Sequence, residues 1–157
     1  MEDIIRQTHK YLIKNRKSLA AAESCTGGLF SFLLTSLPGS SKYFKLGAVV
    51  YSNQAKHDIL GIPMKLINKY GAVSQEVAEA MANAARRIAK TDYGIGITGI
   101  AGPSGGTRIK PVGTVFIAAA LKNGYICNQY RFKGNRSLIQ RQSALAALHL
   151  LRTTQTL

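Results

Sequence analysis

The chain has 157 residues, 46% of them hydrophobic, enough for one domain with a real core. Twenty-one Lys and Arg against seven Asp and Glu leave a formal net charge of +14. That balance favours an anionic partner, nucleic acid or a phosphate-bearing small molecule, and makes a two-carboxylate mechanism or an acidic Mg²⁺ site hard to build.

Two cysteines, Cys25 and Cys127, are too few for a disulfide framework or a structural zinc site. No apolar run approaches the roughly 20 residues of a membrane helix, and the first residues carry acids where a signal peptide has bases. A cytoplasmic protein is expected.

Residues 3–14 place Ile4, Ile5, Tyr11 and Leu12 at helical spacing, and Lys14, Arg16 and Lys17 follow where a helix dipole favours cations. Leu19–Ala22 reads as a strand, and a helix is expected from about Thr26 to Thr35, ended by Leu37-Pro-Gly-Ser-Ser41. Between them Ser24, Cys25, Thr26, Gly27 and Gly28 form a tight turn whose backbone N–H groups could face an anion.

Leu46–Tyr51 is a short apolar run and is expected to be a buried strand. Asn53 then caps a short helix with Lys56 in its first turn, and Gly61-Ile-Pro63 ends it. Ser74 caps the next helix, whose apolar positions are Val77, Met81, Ala84 and Ile88. Tyr93–Thr98 is a third strand, opening into the glycine-rich segment Gly99–Gly106. Gly113–Ala120 is a fourth strand, joined through an Asn123-Gly124 turn to a hairpin partner over Tyr125–Phe132. The last helix runs from about Asn135 to Leu151 with Leu138, Leu145 and Leu148 on one face. Alternating helices and strands give a layered α/β domain over residues 1–157, and the hairpin makes its sheet mixed.

Ser24, Cys25 and Thr26 are adjacent nucleophile candidates, and any of them needs a base. His9 and His149 lie in the first and last helices, and His57 follows Lys56 in its helix. A Ser-His-acid triad through His57 is open, but no spacing singles it out. Lys56 is the other candidate. If the first two strands are parallel neighbours, Tyr51 and Lys56 arrive beside Ser24. Lys56 would have to be neutral to act, and on residue chemistry alone a core tyrosine and a solvated lysine remain the plainer reading. Residues 99–106 are neither a Walker A loop nor a dinucleotide fingerprint. Arg136 and Arg141 are either phosphate clamps or a solvated helix face.

Ala22-Glu-Ser-Cys-Thr-Gly-Gly28, Gly39-Ser-Ser41, Val50-Tyr-Ser-Asn-Gln-Ala-Lys56, Gly71-Ala-Val-Ser74, Thr98-Gly-Ile-Ala-Gly-Pro103 and Lys110-Pro-Val-Gly-Thr114 together resemble the CinA C-terminal-domain family. The blocks occur in the family's order over nearly the whole chain. The resemblance implies a three-layer α/β/α domain with a mixed, mostly parallel sheet. It also implies nicotinamide-nucleotide amidohydrolase activity within pyridine-nucleotide salvage, and the chain resembles the stand-alone form of the family. Family members use a serine, a tyrosine and a lysine, which fall here on Ser24, Tyr51 and Lys56.

With Ser24 as nucleophile and Lys56 as base assisted by Tyr51, the turn at Thr26, Gly27 and Gly28 and the loop at Gly99, Ala101 and Gly102 are the expected substrate contacts, their amides facing the oxyanion. Arg136 and Arg141 are the expected phosphate contacts. No metal or cofactor is implied, and the partner would be nicotinamide mononucleotide, with a homo-oligomer open. Departures from the family pattern stand at Arg108, Ile109, Asn135 and Gln140. The alternative reading is a basic nucleic-acid-binding or catalytically silent interaction module, which the +14 charge motivates.

Overall fold

The computed structural model describes residues 2–154. In chain order they form α1 (Glu2–Lys14), β1 (Leu19–Glu23), α2 (Leu29–Thr35), a 3₁₀ turn (Ser40–Lys42), β2 (Phe44–Val49) and α3 (Asn53–Leu60). Then come α4 (Met64–Tyr70), α5 (Gln75–Ala89), β3 (Tyr93–Gly99), β4 (Thr114–Leu121), β5 (Gly124–Arg131) and α6 (Arg136–Thr153).

The strands make one sheet in the order β2-β1-β3-β4-β5. β1 pairs in parallel with β2 and β3, whereas β4 is antiparallel to β3 and β5. Four of the five strands thus point the same way, and the sheet is mixed, as expected. The β4–β5 connection is one residue earlier than the Asn-Gly signal suggests. Leu121 pairs with Gly124, so Lys122 and Asn123 form the turn and Gly124 opens β5.

Helices cover both faces. Ile4, Ile5 and Leu12 of α1, Phe30 and Leu34 of α2, and Ile139, Leu148 and Leu151 of α6 share one core with Ile95, Ile97, Val115 and Ile117. On the opposite face Leu60 of α3, Ile67 of α4, and Val77 and Met81 of α5 pack with Ala20 and Ala22. β3 shows how the sequence sets this arrangement. Its isoleucines fill the first core, while Gly94 and Gly96 alternate to the other face and let α5 lie directly on the strand. A Cβ on Gly96 would come within 2.2 Å of the Ala78 carbonyl oxygen, and one on Gly94 within 2.1 Å of that of Ala82. Ala78, Ala82, Ala118 and Ala120 complete this close contact.

Several expectations need correction. The second strand covers Phe44–Val49 and alternates half-buried with exposed residues, because it is the edge strand and one side faces water. Tyr51 therefore lies beyond its end. Ser52 caps α3 in place of Asn53, its hydroxyl accepting from the Ala55 N–H. α2 starts at Leu29, since Gly27 and Gly28 have φ of +62° and +96° and cannot continue a helix. α4 was not expected; it follows Pro63 directly and has no side-chain cap to announce it. Ile88 and Leu138 are exposed, so neither belongs to the buried face assigned to its helix. Among the described residues no helix is long and apolar enough to cross a membrane.

Candidate active site

β1 ends on Glu23, whose side chain is fully buried. A buried carboxylate needs several donors, and the following turn supplies them. Its Oε2 accepts from the Thr26 hydroxyl at 2.6 Å and the N–H groups of Gly28 and Phe30 at 3.2 and 3.1 Å. Its Oε1 accepts from the Ser31 N–H at 2.8 Å and the Ser31 hydroxyl at 2.6 Å. The anion at the start of α2 is thus the protein's own. Thr26 and Gly28 are engaged with Glu23, and the Gly27 N–H donates to the Ser24 carbonyl at 3.1 Å. The Thr26 hydroxyl and the Gly27 and Gly28 N–H groups, expected among the substrate contacts, are thus engaged in holding the turn. Among the described residues the Thr26 N–H has no backbone acceptor, and the Cys25 N–H faces only its own thiol.

Ser24 stands at the apex of that turn. Its N–H donates to the Ile97 carbonyl at 3.0 Å, fixing it against β3, and its side chain is almost fully buried. The parallel pairing of β1 with β2 brings the β2–α3 connection alongside. From the first turn of α3, Lys56 reaches back, only 1% exposed, and its Nζ lies 3.3 Å from Ser24 Oγ and 3.1 Å from the Val50 carbonyl oxygen. Burial holds the Lys56 ammonium below its ordinary 10.5. Burial acts on the neighbouring thiol in the opposite sense, pushing Cys25 up to about 12, so Cys25 stays a neutral thiol at physiological pH.

Tyr51 does not stand between Ser24 and Lys56. It is 58% exposed at the rim, where its hydroxyl accepts from the Arg136 guanidinium. Arg136, the first residue of α6, also donates to the Gly102 carbonyl at 2.8 Å and so ties the rim to the loop after β3. Between them lies a cavity of about 260 Å³, lined among others by Ser24, Lys56, Tyr51, Gly99, Ala101, Gly102 and Arg136. Arg141 is elsewhere: one and a half turns along α6, it borders an apolar groove with Leu29, Phe32 and Leu33. His57 is turned away as well, with Nδ1 2.9 Å from the Ile62 carbonyl oxygen.

A turn that raises one serine beside one buried lysine is a local device that many folds could carry, and similarity to known proteins narrows it to one family. The family model of the CinA C-terminal domain matches residues 1–155. The chain belongs to this family. A CinA-like protein of Geobacter metallireducens is 52% identical over 135 residues, covering 86% of this chain and 33% of the relative. The chain spans about a third of the length of the curated relatives it matches. Among solved structures, the competence/damage inducible protein CihA from Agrobacterium tumefaciens superposes with a TM-score of 0.94 at 35% identity, covering 97% of this chain and 93% of that one. A CinA superfamily protein from Escherichia coli gives 0.92 at 33% identity, covering 96% and 88%. Both share the mixed five-stranded sheet with helices on both sides.

The positions where this CinA domain departs from the family pattern fall into two groups. Asn135 and Gln140 have structural duties. The Asn135 side chain accepts from the Leu138 N–H at 2.9 Å and caps α6, and Gln140 Nε2 donates to the Cys25 carbonyl at 2.9 Å. Gln140 therefore orients the Cys25–Thr26 peptide, whose N–H belongs to Thr26. Arg108 and Ile109 are exposed and make no contact with the cavity. Two residues that sequence reading did not single out hold the cavity's far wall. The Thr98 hydroxyl donates to the Ala72 carbonyl at 2.7 Å, and Lys110 Nζ donates to the Val73 and Tyr70 carbonyls at 2.6 and 3.2 Å. Both lie in the blocks quoted above, but nothing in the spacing of those blocks says that they bind one another.

Proposed function

We propose that this CinA domain is a serine amidohydrolase that converts nicotinamide mononucleotide and water to nicotinate mononucleotide and ammonia. The observation that carries this reading is the buried Lys56 amine in contact with Ser24 Oγ. A neutral lysine reverses that contact, so that the Ser24 hydroxyl donates to the Nζ lone pair while an N–H stays on the Val50 carbonyl. Removal of the proton by Lys56 lets Oγ attack the carboxamide carbon.

The negative charge that develops on the carboxamide oxygen needs donors that are otherwise unused, and the Cys25 and Thr26 N–H groups meet that need. The Lys56 ammonium then returns its proton to the departing amine, ammonia leaves, and water with the same base cleaves the acyl-enzyme ester. Tyr51 and Arg136 serve at the rim: Arg136 supplies a positive charge for the phosphate, and Tyr51 keeps its guanidinium in place. Family membership supports the reading, as does the neutral state of the Cys25 thiol, which leaves Ser24 as the nucleophile.

The test is ammonia release from nicotinamide mononucleotide by the wild type and by Ser24→Ala. Wild-type turnover that falls at least about 1,000-fold in the variant is expected. A folded wild type without turnover, or a variant as active as the wild type, overturns the reading.

A further inference from the structure

A cavity of about 660 Å³ lies at the opposite end of the sheet from Ser24. Strand register places its rim. Leu19 pairs with Tyr93, Gly94 with Ala120, and Leu121 with Gly124. Lys17, just before β1, Asp92, just before β3, and Lys122, just after β4, are therefore brought to one edge. The end of α5 adds Arg86 and Lys90, and the start of β5 adds Tyr125.

Four cations thus meet one acid. Asp92 is already satisfied by the Ser18 N–H and hydroxyl, both at 2.8 Å, and by Lys17 Nζ at 3.3 Å. Arg86 uses its Nε–H on the Asp92 carbonyl at 3.1 Å. The ammonium groups of Lys90 and Lys122 have no partner among the described residues. The dipole of α5 explains cations in its last turn but not Lys122, which sits on a hairpin with no helix end of its own. Tyr125, 57% exposed, puts a flat aromatic ring beside these charges. A cavity of several hundred Å³ with unpaired cations and an accessible ring fits a phosphate joined to a planar base.

We propose that this basic cavity is a second binding site, taking a nucleoside phosphate, either free or as part of a single strand of nucleic acid. Lys90 and Lys122 hold the phosphates and Tyr125 stacks on the base. This site does not depend on the chemistry proposed at Ser24.

The experiment is a binding titration of the full chain at low salt with two probes, adenosine triphosphate and a fluorescent pentathymidine strand. The double variant Lys90→Gln/Lys122→Gln is compared with Lys65→Gln/Lys69→Gln, which removes the same charge from exposed positions of α4. The first pair is expected to weaken binding on the order of tenfold and to lower the salt slope by about 2, the second to change little. Tyr125→Ala should weaken binding by about fivefold or more. Binding of adenosine triphosphate with these losses identifies a free nucleotide, and binding of the oligonucleotide alone identifies a strand. Equal weakening by the two lysine pairs, or no binding of either probe, overturns the proposal.

Discussion

A lysine deprived of water must find an anion or release its proton, and Lys56 has only a serine hydroxyl and a carbonyl for company. The sign of the pH dependence follows. In the unfolded chain the amine keeps its proton up to the ordinary 10.5, whereas burial makes the folded protein lose it at lower pH. Between the two values the unfolded state binds more protons, so the stability of the fold rises with pH, and below the folded value the penalty is fully present. Lys56→Met should abolish ammonia release while stabilising the protein most at low pH, an advantage that shrinks as pH approaches 10.5. Thermal melts of both proteins across pH check this, and a difference that does not change with pH would contradict it. Wild-type kcat/KM for ammonia release should fall as pH drops through the lowered Lys56 value.

Glu23 makes the complementary case at the same scale. Glu23→Gln keeps its shape but turns an amide N–H₂ toward groups that are all donors. A loss of about 2–4 kcal/mol is expected in urea unfolding. The sequence makes Ser24, Lys56 and the glycine turn legible because each belongs to a short contiguous motif. It does not reveal that Glu23 takes up the N–H groups at the start of α2. That depends on how one side chain folds back under its own turn, which no periodicity records.

At the scale of elements, α5 lies directly on β3, with no room for a side chain at Gly94 or Gly96. Gly96→Ala would drive a methyl group into the Ala78 carbonyl and push the helix away from the strand. Destabilisation by about 1–3 kcal/mol or more is expected from chemical denaturation. Asn135→Ala, at an exposed cap, should lose only about 1 kcal/mol. The strands and long helices are readable from the sequence because alternation and capping residues mark them. α4 and the true start of α2 are not, since a seven-residue helix after a proline has too few turns to show a period. Burial misleads at β2 for a related reason. An apolar run says that a strand wants cover, but only the strand order shows that β2 is an edge.

Across the whole molecule, twenty-one basic side chains face seven acidic ones, so the folded state holds like charges closer together than the unfolded chain does. Added sodium chloride should therefore raise the melting temperature, and a fall over the same range would show that attractive pairs dominate. The two ends of the sheet divide the molecule's chemistry. One end holds the buried contact between Ser24 and Lys56, and the other collects cations from three separate connections.

The carboxylate beneath the turn has one more consequence, in time rather than energy. Amides that donate to Glu23 are locked before any ligand arrives, so Gly28, Phe30 and Ser31 should exchange hydrogen slowly in the free protein. The Cys25 and Thr26 amides, on the same turn, should exchange quickly and slow only when a ligand oxygen occupies them. Two neighbouring sets of amides would then report separately on folding and on occupancy.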